Sequence, residues 1–371
     1  MLQIPSHIES LVPYLPGKPI EETKREYKLK RVVKLASNEN PLGPSPKALQ
    51  ALVKARKELH RYPDPSGHNL KLALAKKHKV APSEIVLGNG SNDVIDVLIR
   101  SFTQPGDAIA TSQSAFVAYK VCAHVAGLEC VESELRPDLT FDLEKLARTV
   151  NTQPRVKLVF IANPNNPTGT YNRADELRTF LRSLEKTRGD SVLVVIDAAY
   201  QEYVTAKDLP DPHALAREFL NVVVLRTFSK VYGLAGLRVG YGVAHPSVVS
   251  VLDKVRQPFN LNSLALVAAE AALKDESFVK RAVKANLTGM KFWEKTLNSW
   301  KVPFWKSQGN FILFDAAKGF GMGGVELNLE CLKKGVILRP VANYGLHHAL
   351  RLSIGTSAEN LFAAKVLKAL R

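Results

Sequence analysis

Between residues 84 and 243 the chain repeats one pattern: a short apolar run, then a longer stretch whose apolar positions recur every three or four residues. The runs are EIVLG (84–88), DAIAT (107–111), LECVES (128–133), VKLVFIA (156–162), SVLVVID (191–197), VVVLRT (222–227) and LRVGYGV (237–243). Most lack the alternation of a strand with one wet face, so they predict strands covered on both sides, as in a mainly parallel sheet. NDVIDVLIRSF (92–102) and FVAYKVCAHVA (116–126) carry the helical period. Such alternation predicts a doubly wound α/β domain.

Past Pro246 the pattern changes. Helical stretches (246–256, 260–273, 276–298) precede a strand at 311–315, a helix near 325–334, strands at 336–340 and 349–355, and a last helix at 358–370. Residues 1–45, rich in Pro, Gly and Asn, read as an irregular arm. The expected division is an arm (1–45), a large α/β domain (46–250) and a smaller α+β domain (251–371), with the helical stretch near 260–298 bridging the last two.

Composition changes this picture little. A chain of 371 residues with 46% hydrophobic content can bury two cores. The net charge of +16 is spread along the sequence; LKLALAKKHK (70–79) reads as the wet face of an amphipathic helix, not a nucleic-acid patch. No apolar stretch reaches 18 residues, and the first residues show no basic region followed by an apolar run. The three cysteines, Cys122, Cys130 and Cys331, form no CxxC pair. A cytoplasmic protein without disulfides or a bound metal is expected. His347 and His348 are an isolated loop pair.

Four motifs carry chemistry, each just past an apolar strand, where open α/β sheets place ligands. In FSKVYGLAGLRVGY (228–241), Lys230 has Ser229 beside it and Arg238 eight residues on. By itself Lys230 could be a solvated loop lysine. Beside hydroxyls and a guanidinium that anchor a phosphate, it can form a Schiff base with a cofactor. In VVIDAAYQEY (194–203), Asp197 ends a strand, an unfavourable place for a charge without a partner. It is either a helix cap or the counter-charge of a protonated ring nitrogen, with Tyr200 in reach of a ring hydroxyl. NPNNPTGT (163–170) is a turn that offers the Asn166 amide. LGNGSNDVIDVLI (87–99) opens a helix after Gly90, so Ser91 and Asn92 are either an ordinary cap or an anion site. Phe116, just past a strand, could stack on a planar cofactor. Tyr62 lies in the proline-rigid loop RYPDPSG (61–67).

In order and spacing, NNPTG, ID-x-x-Y, SK and GLAGLRVGY resemble the fold-type-I, pyridoxal-phosphate (PLP)-dependent aminotransferases of the class II type. SNENPLGPSP, YPDPSG and GNGS are similar to segments of the histidinol-phosphate aminotransferases, and the resemblance runs from residue 35 to 356. It implies a large domain with a mainly parallel sheet and a smaller C-terminal α+β domain. It implies that Lys230 holds PLP and moves a proton, that Asp197 faces the pyridine nitrogen, and that Tyr200 and Asn166 hold the ring oxygen. Gly90, Ser91, Asn92, Ser229 and Arg238 would form the phosphate cup. Phe116 would stack on the ring, at a position often held by tyrosine, and Ser91-Asn92-Asp93 stands where Ser-Asp-Glu is common. Tyr62 would reach the cofactor phosphate of a neighbouring subunit, implying a homodimer. Arg351 would grip the substrate's acidic group, Arg339 would add a second contact, and Tyr14 a third from the arm.

The activity so implied is amino transfer between glutamate and imidazole-acetol phosphate, giving histidinol phosphate in histidine biosynthesis. An aromatic amino-acid aminotransferase and a PLP-dependent threonine-phosphate decarboxylase share these motifs. A transcriptional regulator with an aminotransferase-like domain would need a helix-turn-helix module ahead of residue 40, for which the arm is too short.

Overall fold

The computed structural model describes residues 3–11 and 17–371. Its centre is a seven-stranded sheet in the order Ile85–Gly88, Gly240–Val243, Val222–Thr227, Leu193–Asp197, Val156–Ala162, Ala108–Ser112, Glu129–Ser133. Only Gly240–Val243 runs against its neighbours; every other pairing is parallel. Leu193–Asp197 and Val222–Thr227 are buried along their whole length. That burial is the reason for their uninterrupted apolar runs: helices cover both faces.

A second sheet, entirely antiparallel, orders Arg339–Pro340, Ala349–Ser353, Phe311–Asp315 and Phe304–Trp305. Its core gathers Trp293, Leu297, Ile312, Phe314, Leu350 and Leu352. The 24-residue helix Glu276–Ser299 serves both cores: Ala282 packs in the first, and Met290, Trp293 and Leu297 in the second.

Three sequence expectations are corrected. The segment before residue 46 is not wholly irregular. Ile20–Tyr27 is helical, with Glu21 and Glu22 in its first turn and a left-handed Lys28 ending it. Val33–Lys34 is a strand pairing in parallel with Val336–Ile337, and Val33 and Leu35 belong to the second core. The run VILRP is two strands, because Val336–Ile337 pairs with Val33–Lys34 while Arg339–Pro340 pairs with Ala349–Ser353. Between them, the Leu338 N–H donates to Asn328 Oδ1 at 3.0 Å. Finally, LRVGYGV becomes a strand only at Gly240. Ala235–Leu237 is a 3-10 turn, and Arg238 adopts φ +57°. The chain thereby turns the guanidinium back to Ser229 Oγ (3.3 Å) and the Ala235 carbonyl (3.1 Å).

Candidate active site

Gly88, Ser112, Ala162, Asp197 and Thr227 end parallel strands on the same edge of the large sheet, and Gly240 begins its strand there. The loops past that edge enclose a cavity of about 280 Å³. Ser91, Asn92 and Phe116 line it, together with Asn166, Asp197 and Tyr200 and with Ser229, Lys230 and Arg238. Sequence positions spread over almost 150 residues thus meet at one site.

Asp197 sits at its floor. Its Oδ2 accepts from the Tyr119 hydroxyl at 2.7 Å and its Oδ1 from the Ala199 N–H at 3.1 Å. Burial raises its pKa above the usual carboxylate value, against these two donors and Lys230, which lower it. A buried carboxylate in this position suits a cationic partner from the cavity. Tyr119 is held in turn by stacking on Phe160, centroids 4.7 Å apart.

Lys230 is half-buried, with its amine 5.6 Å from the centroid of the Tyr200 ring. Burial pushes its pKa down from 10.5 to about 8, and the Arg351 and Arg238 cations push the same way. A sizeable neutral fraction near physiological pH is the form able to attack a carbonyl or take a proton. Burial raises the Tyr200 hydroxyl to about 12, so it stays protonated.

At the other end lies a cup for an anion. The helix Ser91–Phe102 starts here, pointing its free N–H groups and positive dipole end into the cavity. Ser229 and Arg238 face it. Gly90 adopts φ +86°, which strains other residues, and a Cβ there would push the Arg238 guanidinium, 2.3 Å away at Nη2, out of the cup. Asp93 turns away, accepting from the Asn89 N–H and from Asn260 Nδ2, each at 2.8 Å. The departure from Ser-Asp-Glu at that position therefore does not reach the cup. A carboxylate floor, a lowered lysine, a phenol with an amide, and an anion cup together fit the ring and phosphate of PLP.

A second cavity of about 210 Å³ adjoins the first, sharing Phe116, Asn166 and Lys230. Arg351 and Arg339, opposite each other in register on paired strands, both line it. Arg351 is buried; its Nη1 donates to Asn166 Oδ1 and its Nη2 to the Ala36 carbonyl at 2.7 Å. Tyr62 lies elsewhere: it is 84% exposed, stacked on Phe259 at 4.9 Å, and lines neither cavity of its own chain. Tyr14 falls outside the described residues.

Sequence reasoning missed Tyr119 and Asn38. Asn38 Nδ2 donates to the Tyr200 hydroxyl at 2.9 Å. The signal for Tyr119 was its place one helical turn past Phe116, which puts both on one face; Asn38 lay unremarked within SNENP.

The profile of the family described as aminotransferase class I and II matches residues 30–367. A histidinol-phosphate aminotransferase of an Anaeromyxobacter species is 47% identical over 96% of both chains. One of Bdellovibrio bacteriovorus is 43% identical over 99% of both. Among solved structures, the histidinol-phosphate aminotransferase of Sinorhizobium meliloti in complex with pyridoxal-5'-phosphate superposes with a TM-score of 0.88 at 27% identity, covering 100% of this chain and 99% of that one. A single mutant of Thermus thermophilus aspartate aminotransferase shares the fold, with a TM-score of 0.86 at 22% identity and full coverage of both chains. A profile match across nine-tenths of the sequence, and relatives this similar over almost their whole length, establish that the chain belongs to the class I and II aminotransferases.

Proposed function

We propose that this chain is a PLP-dependent histidinol-phosphate aminotransferase, exchanging an amino group between glutamate and imidazole-acetol phosphate in histidine biosynthesis. One observation carries the reading: Asp197, which ends one strand, and Lys230, just past the end of its parallel neighbour Val222–Thr227, line a single cavity with the anion cup. Relatives of that name match at 43–47% identity over 96–99% of the chain. PLP, when bound, supplies the electron sink and carries the amino group from donor to acceptor.

The residues do the rest. Asp197 holds the proton on the pyridine nitrogen. Tyr200 and Asn166 hold the ring oxygen, and Phe116 covers the ring face. Gly90, Ser91, Asn92, Ser229 and Arg238 hold the phosphate. Lys230 Nζ would take the proton from the donor's Cα and deliver it to C4′ of the cofactor, then move a proton the opposite way, from C4′ to the acceptor's Cα, in the second half-reaction. Arg351 binds the acidic group of each substrate in turn, with Arg339 as a second contact. Both substrates are anionic, and paired guanidiniums suit carboxylate and phosphate alike.

Tested on purified protein, borohydride trapping should fix the yellow cofactor on Lys230, and kcat/KM for histidinol phosphate should exceed that for phenylalanine with 2-oxoglutarate as acceptor. A label on another lysine would sink the site. A preference for phenylalanine would overturn the substrate and leave the PLP chemistry standing.

The working unit in this proposal is a cytoplasmic homodimer. Three unpaired cysteines suit a reducing compartment. Tyr62, solvent-exposed and outside both cavities of its own chain, completes the phosphate site of the partner subunit. Mixing Tyr62→Ala with Lys230→Ala subunits should then restore activity, because each hybrid dimer contains one site free of both lesions. Hybrids as inactive as their parents, after confirmed exchange, would exclude sharing through Tyr62.

A further inference from the structure

Asn38 lies between the two halves of the site. It is buried and adopts φ +54°, a left-handed conformation that asparagine tolerates better than most residues. Its N–H donates to Ser353 Oγ at 2.8 Å, and the Ser353 hydroxyl donates back to Asn38 Oδ1 at 2.7 Å. Ser353 is two residues past Arg351 on the strand Ala349–Ser353. Asn310 Nδ2 fixes the Asn38 carbonyl from a third side, at 3.0 Å.

These contacts settle which way the Asn38 amide points. The Ser353 oxygen already accepts the Asn38 N–H. Among the described residues, its own hydrogen has Asn38 Oδ1 as its acceptor. A flipped amide would strand that hydrogen in a buried place. Nδ2 therefore faces Tyr200, and the Tyr200 oxygen accepts from it at 2.9 Å. Asn38 is the only hydrogen-bond partner of that hydroxyl among the described residues, and Tyr200 lines the cavity.

We propose that Asn38 is a positioning residue that sets the direction of the hydrogen bond at Tyr200. By donating to the phenol oxygen it leaves the phenol hydrogen to point into the cavity, toward the ring oxygen of the cofactor. Through Ser353 it also ties this donor to the strand that carries Arg351. The inference rests on the role given to Tyr200 above. The charged groups around Tyr200 are Lys230, Asp197 and Arg351.

The test reads the pH midpoint of the holoenzyme's visible absorbance change, alongside melting temperature. In Asn38→Asp the new carboxylate accepts from both Ser353 and Tyr200, so the phenol hydrogen turns away. The ring oxygen, losing a donor, holds its proton more tightly. The midpoint should rise by roughly 1–2 pH units, at least as far as in Tyr200→Phe. Asn38→Gly keeps the left-handed backbone without strain and removes the donor to Tyr200 without adding a charge, together with the acceptor of the Ser353 hydroxyl. It should give a smaller rise, and no further rise in the Tyr200→Phe background. This glycine cycle separates loss of the donor from the added charge, and it decides the matter alone if the aspartate variant fails to fold. An unshifted midpoint in a well-folded Asn38→Asp protein, or an equal glycine effect with and without the Tyr200 hydroxyl, overturns the proposal. If Tyr200→Phe itself leaves the midpoint unmoved, the role of Tyr200 falls instead.

Discussion

Lys230→Ala should still bind PLP, yet transfer amino groups about 10⁴-fold more slowly or worse. In the proposed mechanism the substitution removes two things at once, the nucleophile that would tether the cofactor and the base that would carry the Cα proton. The cup, Asp197 and Phe116 remain to hold the cofactor, so binding should weaken far less than turnover. Lys230→Arg separates charge from chemistry. It keeps a cation in the same cavity, but a guanidinium does not give up its proton, so this variant should be as slow as the alanine. A lysine serving only as a phosphate counter-charge would instead be rescued by arginine. Stability of the cofactor-free protein gives an independent readout. The Lys230 pKa falls from 10.5 to about 8 on folding, so between these values the unfolded chain binds more protons. The amine therefore lowers stability below about pH 8, and the loss is recovered as the pH rises toward 10.5. Lys230→Ala should remove this penalty, raising the melting temperature of the cofactor-free form at pH 7 more than at high pH. An equal change at both values would mean that the amine is not buried as described.

What could be read in the sequence, and what could not, follows from the range of the interactions. Runs such as Val222–Thr227 announce a two-faced buried strand because every position is buried, so no partner need be known. Residues directly after such strands arrive at the carboxyl edge wherever the strands sit in the order. For that reason Asn166, Asp197 and Lys230 could be placed from local pattern alone. The start of the strand at Gly240 was misread because Leu237 and Val239 continue the apolar pattern, while the turn of Arg238 toward Ser229 depends on a contact nine residues back. The pairing of Val33–Lys34 with Val336–Ile337 joins segments some 300 positions apart, and nothing in the earlier segment names the later one. The same holds within the site. Tyr119 meets Asp197 across 78 positions, Asn38 meets Tyr200 across 162, and Arg351 meets Asn166 across 185. Motifs give the residues that would touch the cofactor; the residues that orient them come from the fold.

Asp197→Asn is the sharper test of the site, because it changes a charge while nearly preserving shape. The carboxylate now serves two donors, the Tyr119 hydroxyl and the Ala199 N–H, with one oxygen each. An amide has one oxygen, so one donor loses its acceptor and meets an NH₂ group in a buried place. That alone should cost about 1–3 kcal/mol of stability. The effect on rate has a different origin. In the proposed arrangement the Asp197 carboxylate would keep a proton on the pyridine nitrogen, which the electron sink needs, and a neutral amide could not hold that proton. The expected result is a fall in kcat of at least about 10²-fold, with cofactor still bound through the cup. Tyr119→Phe is the control for the hydrogen bond alone. It removes a donor that lowers the Asp197 pKa, so the carboxyl should be somewhat more easily protonated, but the group itself stays in place. Its kcat should fall less than tenfold, roughly the 0.5–1.5 kcal/mol of one ordinary hydrogen bond. If the two variants lose activity equally, the carboxylate matters as a scaffold for Tyr119 and not as a charge. If Asp197→Asn turns over at a near-normal rate, another group holds the ring nitrogen, and the assignment of the cavity floor is wrong.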